Sequence, residues 1–195
     1  MAGATTVSTR VLTLPNVLSM LRLLGVPLFL WAILTRRDGL ALALLNASGV
    51  TDYLDGKIAR KFGLESRVGQ LLDPIADRLY IVSTLLGLAW RDIIPWWVVW
   101  VLFAREAFMT VVVLIAKRHG WNGLPVHFVG KAATFNLLYA FPLLLLADGD
   151  GRLARIAEPV GWGFAWWGIV LYWVAGLLYA AQLRLLLAPR AAPAR

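Results

Sequence analysis

Long apolar runs separated by short polar connections dominate the sequence and predict six membrane-spanning helices. A helical crossing needs about 20 apolar residues. Stretches close to that length lie at about 14–35, 40–61, 68–90, 94–117, 127–147 and 158–187. Pro15 and Pro95 begin the first and fourth stretches, where the missing N–H of proline leaves no helical hydrogen bond unmade. The pattern predicts an all-α integral membrane protein.

The composition agrees with a bilayer environment and leaves no room for a second, soluble domain. Of the 195 residues 60% are hydrophobic, whereas a soluble globular chain is about half apolar. Ten Trp residues suit the bilayer interface, where an indole ring is half buried. We expect one transmembrane domain over residues 1–195, with flexible tails at 1–12 and 189–195.

The formal net charge of +8 indicates membrane topology and attraction to anionic lipid rather than nucleic-acid binding, because no basic face is free of membrane segments. With the N-terminus inside, one face of the membrane collects Arg10, Lys57, Arg60, Lys61, Arg67, Lys117, Arg118, Arg184, Arg190 and Arg195. The opposite face collects Arg36, Arg37, Arg91, Arg152 and Arg155. Lys and Arg favour the cytoplasmic side, so both termini and the loop between the second and third spans are expected there. The composition, rich in Ala, Leu and Arg, suggests a bacterium and hence its cytoplasmic (inner) membrane.

Several metal chemistries are excluded or disfavoured by residue type. The chain has no Cys, so disulfides and thiolate metal sites are impossible. His119 and His127 are the two histidines of the sequence, which disfavours a zinc site built on imidazole ligands.

Four aspartates lie within residues 51–80, near the cytoplasmic face of the predicted bundle. Acidic side chains in membrane helices are costly and usually mark a functional site. Projected on helices, the four fall on two stripes with small residues: Asp52, Asp55, Gly56 and Ala59 on the second span, and Gly69, Asp73 and Asp77 on the third. If the two helices pair as a hairpin, the four carboxylates converge.

Carboxylates at that density repel one another in a low dielectric and need cations. Lys57, Arg60 and Arg78 can neutralise some of them. Oxygen ligands without His or Cys favour hard cations such as Mg²⁺, Mn²⁺ or Ca²⁺, and Mg²⁺ leaves part of its shell to substrate phosphates. Ion pairs that close a helix hairpin remain an alternative explanation of the aspartates.

The same segment resembles the signature of the CDP-alcohol phosphotransferase (phosphatidyltransferase) family. The resemblance rests on the pattern Asp52-x2-Asp55-Gly56-x2-Ala59-Arg60-x8-Gly69-x3-Asp73-x3-Asp77. All eight signature positions are present at the family's spacing, and the six-span layout extends the resemblance to nearly the whole chain.

The resemblance implies a role for each signature residue. Asp52, Asp55 and Asp73 would bind metal, and Asp77 would act as the general base and also contact a metal. The CDP-alcohol site would be lined by Gly56, Ala59, Arg60 and Gly69. The resemblance also implies a cofactor of two Mg²⁺ or Mn²⁺ ions, CDP-diacylglycerol as the phosphatidyl donor, CMP as the leaving product, and a homodimer.

Asp77 is a weak base for an alcohol. It can serve if its pKa is raised by burial and by neighbouring carboxylates, or if the proton leaves the acceptor hydroxyl late. The sequence leaves both possibilities open.

The acceptor is harder to predict. The segments LPNVLSMLR, AREAF and GKAATFN resemble phosphatidylglycerophosphate synthases and the cardiolipin synthases of the same fold. We prefer glycerol 3-phosphate as acceptor, with phosphatidylglycerol next and inositol phosphate third. Arg105 and Lys131 are candidate contacts for an acceptor phosphate, and Glu106 is expected to point to another part of its helix surface. Asn16 and Arg22 match a recurring first-span pattern of the family, in which helix packing is as good an explanation as function.

Two other classes of protein also place aspartates in membrane helices. Intramembrane prenyltransferases bind metal and diphosphate through aspartates, but in two separated motifs of a larger bundle. A small cation transporter would distribute its acids through the membrane depth, whereas these four cluster near one face.

Overall fold

The computed structural model describes residues 14–62, 67–121 and 128–187. Its helices are α1 (Leu14–Leu34), α2 (Asp38–Phe62), α3 (Arg67–Trp90), α4 (Trp96–Arg118), α5 (Phe128–Ala147) and α6 (Arg152–Leu187). The prediction of an all-helical chain with helices in these six places is confirmed. The predicted flexible tails at 1–12 and 189–195 lie outside the described residues.

The last helix begins earlier than the hydrophobic pattern predicted. The apolar run begins near Glu158, whereas α6 begins at Arg152. The preceding Gly151 has a φ of 102°, a left-handed conformation that glycine adopts without strain, and it separates α6 from the loop. Charged residues interrupt an apolar run without breaking a helix, since Arg and Glu are good helix formers.

Four helices of the described chain are long and apolar enough to cross a membrane, namely Val17–Leu34, Trp96–Arg118, Phe128–Ala147 and Arg152–Leu187. Large apolar side chains such as Leu24, Trp90, Phe128 and Leu185 are exposed on the helix surfaces. Apolar surface of that extent belongs against lipid. The chain is therefore a membrane protein, and crossing by α2 and α3, which carry the acidic residues, stays a prediction.

The described residues form two compact units. The first contains α1, α2 and α3 with residues 148–150, and the second contains α4, α5 and α6. The expectation of a single domain over the whole chain stays a prediction.

In the first unit, α1 packs against both α2 and α3. It runs parallel to α3, because Gly25 lies beside Tyr80 and, further along, Ile33 lies beside Gly87. A Cβ atom on Gly25 would come within 2.6 Å of the Tyr80 hydroxyl oxygen, so any other residue there would have to displace the Tyr80 side chain. The Phe29 and Tyr80 rings, 5.8 Å apart between centroids, pack one turn further along α1.

Arg91 joins the helix ends on the other side of the first unit. It donates hydrogen bonds to the Ile33 carbonyl at 3.1 Å, to both carboxylate oxygens of Asp38, and to Asp148. Its side chain is 4% exposed. The hydrogen bond to Asp38 raises the pKa of the Arg91 guanidinium, so this cluster connects the end of α1, the start of α2 and the end of α3 through a permanent charge.

In the second unit, α6 packs against both α5 and α4. Gly161 lies beside Leu144 and Gly168 beside Leu137, so α6 runs antiparallel to α5. The Phe108 ring of α4 lies 6.0 Å from that of Trp173. Farther along both helices, Val112 and Leu183 belong to one buried cluster, so α4 and α6 are parallel. Within this unit, successive helices therefore alternate in direction.

Polar side chains on the helices bond to their own backbone. Each donates to the carbonyl oxygen four residues earlier, and the group comprises Asn46, Thr51, Thr84, Thr110, Thr134 and Asn136. In lipid such donors have no water to bond to, and this arrangement satisfies them within one helix.

Candidate active site

The signature residues occupy two consecutive helices. Asp52, Asp55, Gly56, Ala59 and Arg60 lie on the last turns of α2, and Gly69, Asp73 and Asp77 lie on the first turns of α3. Of these eight side chains, the structure describes that of Asp77. The other seven side chains lie outside the described part, and the roles predicted for them stay predictions.

Asp77 forms an ion pair with Arg22 of α1. The Nη1 atom of Arg22 donates a hydrogen bond of 2.7 Å to Oδ1 of Asp77. The Arg22 side chain is 1% exposed and that of Asp77 is 42% exposed. A buried charge costs several kcal/mol unless it is paired. The enclosed guanidinium therefore meets a carboxylate that remains half open to its surroundings.

The sequence left the role of Arg22 undecided, and this ion pair supplies one. Arg22 is the single charged residue of α1. A lone charge in an apolar span needs a partner of opposite sign, and the aspartates of the signature were the obvious candidates. That argument could have predicted a pairing, although not which of the four aspartates receives it.

The helices α2 and α3 are connected one turn from Asp77. The side chains of Ser48 on α2 and Tyr80 on α3 lie close enough to interact. Ser48 precedes Asp52 by one helical turn, and Tyr80 follows Asp77 by one turn. Because Tyr80 also packs against Gly25, all three helices of the first unit meet beside the only signature side chain that the structure describes.

The residue types present fit a hard divalent cation. The four aspartates of α2 and α3 offer oxygen atoms alone, which Mg²⁺ and Mn²⁺ prefer. Among the described side chains no group of three or more His, Cys, Asp or Glu residues is arranged to hold a metal ion. Asp77 is the one predicted ligand within that part.

Arg105, a candidate for binding the acceptor, lies near the middle of α4 and is buried. Its Nη1 atom donates to Oε1 of Glu106 at 2.8 Å, and its Nε atom donates to the Tyr172 carbonyl at 3.3 Å. The guanidinium carbon lies 3.5 Å from the centroid of the Tyr172 ring. The Tyr172 hydroxyl completes the cluster by donating to Glu106.

The expectation that Glu106 points away from Arg105 was wrong. Neighbouring residues on a helix diverge by about 100°, but both side chains are long, and Tyr172 of α6 draws them to the same place. Glu106 therefore balances the charge of Arg105 inside the second unit. Lys131 lies in the first turn of α5 with an exposed side chain, and the acceptor role of both basic residues stays a prediction.

Comparisons with known proteins agree with the signature. A family model described as CDP-alcohol phosphatidyltransferase matches residues 12–174. The cardiolipin synthase (CMP-forming) of Streptomyces coelicolor is 60% identical over 181 residues, which cover 90% of this chain and 84% of that protein. A putative cardiolipin synthase of Mycobacterium tuberculosis is 42% identical over 175 residues, covering 89% and 84%. A probable phosphatidylglycerophosphate synthase of the same species is 36% identical over 180 residues, covering 89% and 82%.

Proposed function

Because the chain belongs to the CDP-alcohol phosphatidyltransferase family, we propose that it makes cardiolipin from CDP-diacylglycerol and phosphatidylglycerol, with release of CMP. The family assignment makes it a transferase of phospholipid biosynthesis that uses CDP-diacylglycerol. The acceptor rests on one observation, the 60% identity over 90% of the chain to a protein named cardiolipin synthase.

Glycerol 3-phosphate is the second candidate acceptor. It is the acceptor that the sequence segments favoured. It is also supported by the 36% identity to the mycobacterial phosphatidylglycerophosphate synthase. A CDP-diacylglycerol--glycerol-3-phosphate 3-phosphatidyltransferase of Arabidopsis thaliana is 30% identical over 194 residues. Because the identity to the cardiolipin synthase is higher, we rank phosphatidylglycerol above glycerol 3-phosphate as the acceptor.

The register of α2 and α3 supports a common site for the four aspartates. The helices run in opposite directions, because Asp38 lies beside Arg91 and, further along α2, Ser48 lies beside Tyr80. One turn beyond that contact, position 52 of α2 is level with position 77 of α3. One turn further, position 55 is level with position 73. We propose that Asp52, Asp55 and Asp73, with Asp77 beside them, hold two Mg²⁺ or Mn²⁺ ions there.

When bound, divalent ions neutralise the diphosphate of the donor and the charge of the departing CMP. Arg60 adds a guanidinium that can hold a phosphate by two hydrogen bonds. The small residues Gly56, Ala59 and Gly69 leave space for the nucleotide on the same helix faces. These residues therefore bind and orient the donor, while its acyl chains remain in the bilayer.

Asp77 is proposed to accept the proton of the acceptor hydroxyl. The hydroxyl oxygen attacks the phosphorus that carries the diacylglycerol, the bond from that phosphorus to the CMP oxygen breaks, and the proton passes to Asp77. The Arg22 guanidinium donates a hydrogen bond to one oxygen of this carboxylate.

The distribution of Lys and Arg along the chain supports one orientation in the membrane. We propose that both termini and the α2–α3 loop face the cytoplasm of a bacterium, where the nucleotide of the donor is available. The enzyme is proposed to lie in the inner membrane as a homodimer. Cysteine accessibility at the two ends of α2 would test the orientation.

A direct assay tests the reaction and its acceptor. Purified protein in lipid is given labelled CDP-diacylglycerol with phosphatidylglycerol, glycerol 3-phosphate, inositol phosphate or serine in parallel, and the lipid formed is identified by mass. We expect cardiolipin and CMP, abolition by EDTA, and recovery with Mg²⁺ or Mn²⁺. Phosphatidylglycerophosphate as the product would select the second acceptor. Absence of CMP with every acceptor would exclude the proposed reaction and leave the prenyltransferase and transporter alternatives.

A further inference from the structure

Arg22 occupies a place where packing alone does not explain a charge. It is the single charged residue of α1, and its side chain is 1% exposed. Replacing a buried ion pair by apolar residues of similar volume is often neutral or stabilising. Met or Leu at position 22 would therefore pack at least as well as Arg. The reason for a charge at this position must be sought in its partner, Asp77.

The geometry around the partner is asymmetric. The guanidinium is enclosed and approaches Oδ1 of Asp77 to 2.7 Å, while the Asp77 side chain is 42% exposed. Arg22 thus holds the carboxylate from the interior of the helix group. The Asp77 side chain is nevertheless not enclosed by the helices, so the carboxylate remains accessible.

The two helices that carry this pair are held at short distance by the next turn of each. Gly25 follows Arg22 by one turn, and Tyr80 follows Asp77 by one turn. A Cβ atom at position 25 would lie 2.6 Å from the Tyr80 hydroxyl oxygen, so glycine permits the close approach. Tyr80 also lies beside Ser48 of α2. Arg22 and Asp77 therefore stand on two helices that pack closely one turn away.

We infer that Arg22 is a positioning residue of the transfer reaction. Its guanidinium, through the Nη1 hydrogen bond to Oδ1, orients the Asp77 carboxylate so that the exposed part faces the acceptor hydroxyl, which makes α1 a component of the active site. This inference rests on the proposed role of Asp77 as the base. A displacement of about 1 Å in a reacting group can lower the rate about a hundredfold, so losing this buried donor should have a measurable effect on the rate.

The central test compares Arg22→Met with Arg22→Lys. Met keeps the length of the side chain and removes both charge and donors. Lys keeps the charge but lacks the planar fork of the guanidinium. For Arg22→Met we expect kcat to fall by about ten- to hundredfold, with KM for CDP-diacylglycerol changed by less than about twofold. Arg22→Lys should recover part of the lost kcat.

Gly25→Ala serves as the matched control for the same helix pair. It disturbs the α1–α3 contact through Tyr80 while both charged side chains remain. If Arg22 acts through packing alone, both Arg22→Met and Gly25→Ala should lower the thermal stability, and kcat of the folded fraction should remain that of the wild type. That outcome would overturn the inference, and so would a loss in KM alone.

A double-mutant cycle with Asp77→Asn, read by thermal unfolding of metal-free protein, checks the pair without any turnover. We expect the effects of Arg22→Met and Asp77→Asn to be non-additive; additive effects would show that the two side chains do not interact. If Arg22→Met does not fold, Arg22→Lys replaces it, and a wild-type kcat for Arg22→Lys then overturns the inference. Failure of the wild type to release CMP would instead refute the proposed function, so the two failures are distinguishable.

Discussion

Tyr172 on α6 donates a hydrogen bond to the carboxylate of Glu106 on α4 and so connects two helices of the second unit. The same Tyr172 ring lies against the guanidinium of Arg105, which in turn donates to Glu106. Three side chains therefore compensate one another in the middle of an apolar helix pair. Any ligand that recruits Arg105 must compete with Glu106 for its donors.

Removing the Tyr172 hydroxyl should weaken this connection. Tyr172→Phe keeps the ring beside Arg105 and deletes the hydrogen bond to Glu106, which accepts as an anion. We expect a loss of about 1–3 kcal/mol in the free energy of unfolding, measured by thermal or denaturant unfolding in detergent. As a control, Tyr139→Phe removes an exposed hydroxyl for which the described residues provide no hydrogen-bond partner. An equal loss in both variants would contradict the prediction.

If Arg105 binds the acceptor, its removal should affect the acceptor specifically. We expect Arg105→Gln to raise KM for the acceptor by about tenfold or more, since a charge-assisted contact to phosphate is lost. The KM for CDP-diacylglycerol should change by less than about twofold. Lys131→Gln, with an exposed side chain on α5, tests the second candidate in the same assay. Unchanged acceptor KM values would assign Arg105 to the Glu106–Tyr172 cluster alone.

The unequal exposure of Arg22 and Asp77 predicts unequal costs of mutation. Asp77→Ala removes the carboxylate that faces a guanidinium with 1% exposure, whereas Arg22→Met leaves a carboxylate that is 42% exposed. Asp77→Ala should therefore destabilise more than Arg22→Met, by about 1–3 kcal/mol. Thermal unfolding of the two variants without metal provides the comparison. The opposite order would mean that the guanidinium is not enclosed as described.

Loss of Arg91 should destabilise the first unit by an amount that does not depend on pH near neutrality. Hydrogen bonding to Asp38 raises the pKa of Arg91. A raised folded-state pKa contributes stability that is fully present below the unfolded-state pKa and is lost only as pH rises through the folded-state value. For an arginine both values lie far above neutral. Arg91→Met should therefore lower the free energy of unfolding by about 1–3 kcal/mol, equally at about pH 6 and pH 9.

Arg152→Met is the control for Arg91→Met, because Arg152 is an exposed arginine at the start of α6. It should change the stability by less than about 0.5 kcal/mol. A difference between the two pH values in the effect of Arg91→Met would count against the assignment, since it would show that the partner carboxylates titrate in that range.

The helices were predictable because a bilayer demands long apolar runs, and five of the six predicted starts agree with the structure to within about two residues. The start of α6 was missed since hydropathy detects the apolar segment and not the helix that precedes it. Arg152 and Arg155 are helical residues outside the apolar run, and a helix continues through such residues as easily as through leucine.

The candidate site was predictable to the extent that it is local. The spacing of Asp73 and Asp77 places them on one face of α3 without knowledge of any other helix. The Arg22–Asp77 pair joins residues 55 positions apart and depends on how α1 packs, which no local pattern specifies. The prediction for the direction of Glu106 failed for a related reason. Tyr172, which lies 66 positions away, determines where the Glu106 side chain lies.

The position of Asp148 in the Arg91 cluster has a consequence for biosynthesis. Arg91 and Asp38 emerge from the ribosome with the first three helices, but Asp148 follows α5 in the chain. While α4 and α5 are still being translated, the guanidinium has one of its two carboxylate partners. This end of the first three helices is therefore completed by a late-synthesised segment, and a nascent chain released before residue 148 lacks that last connection.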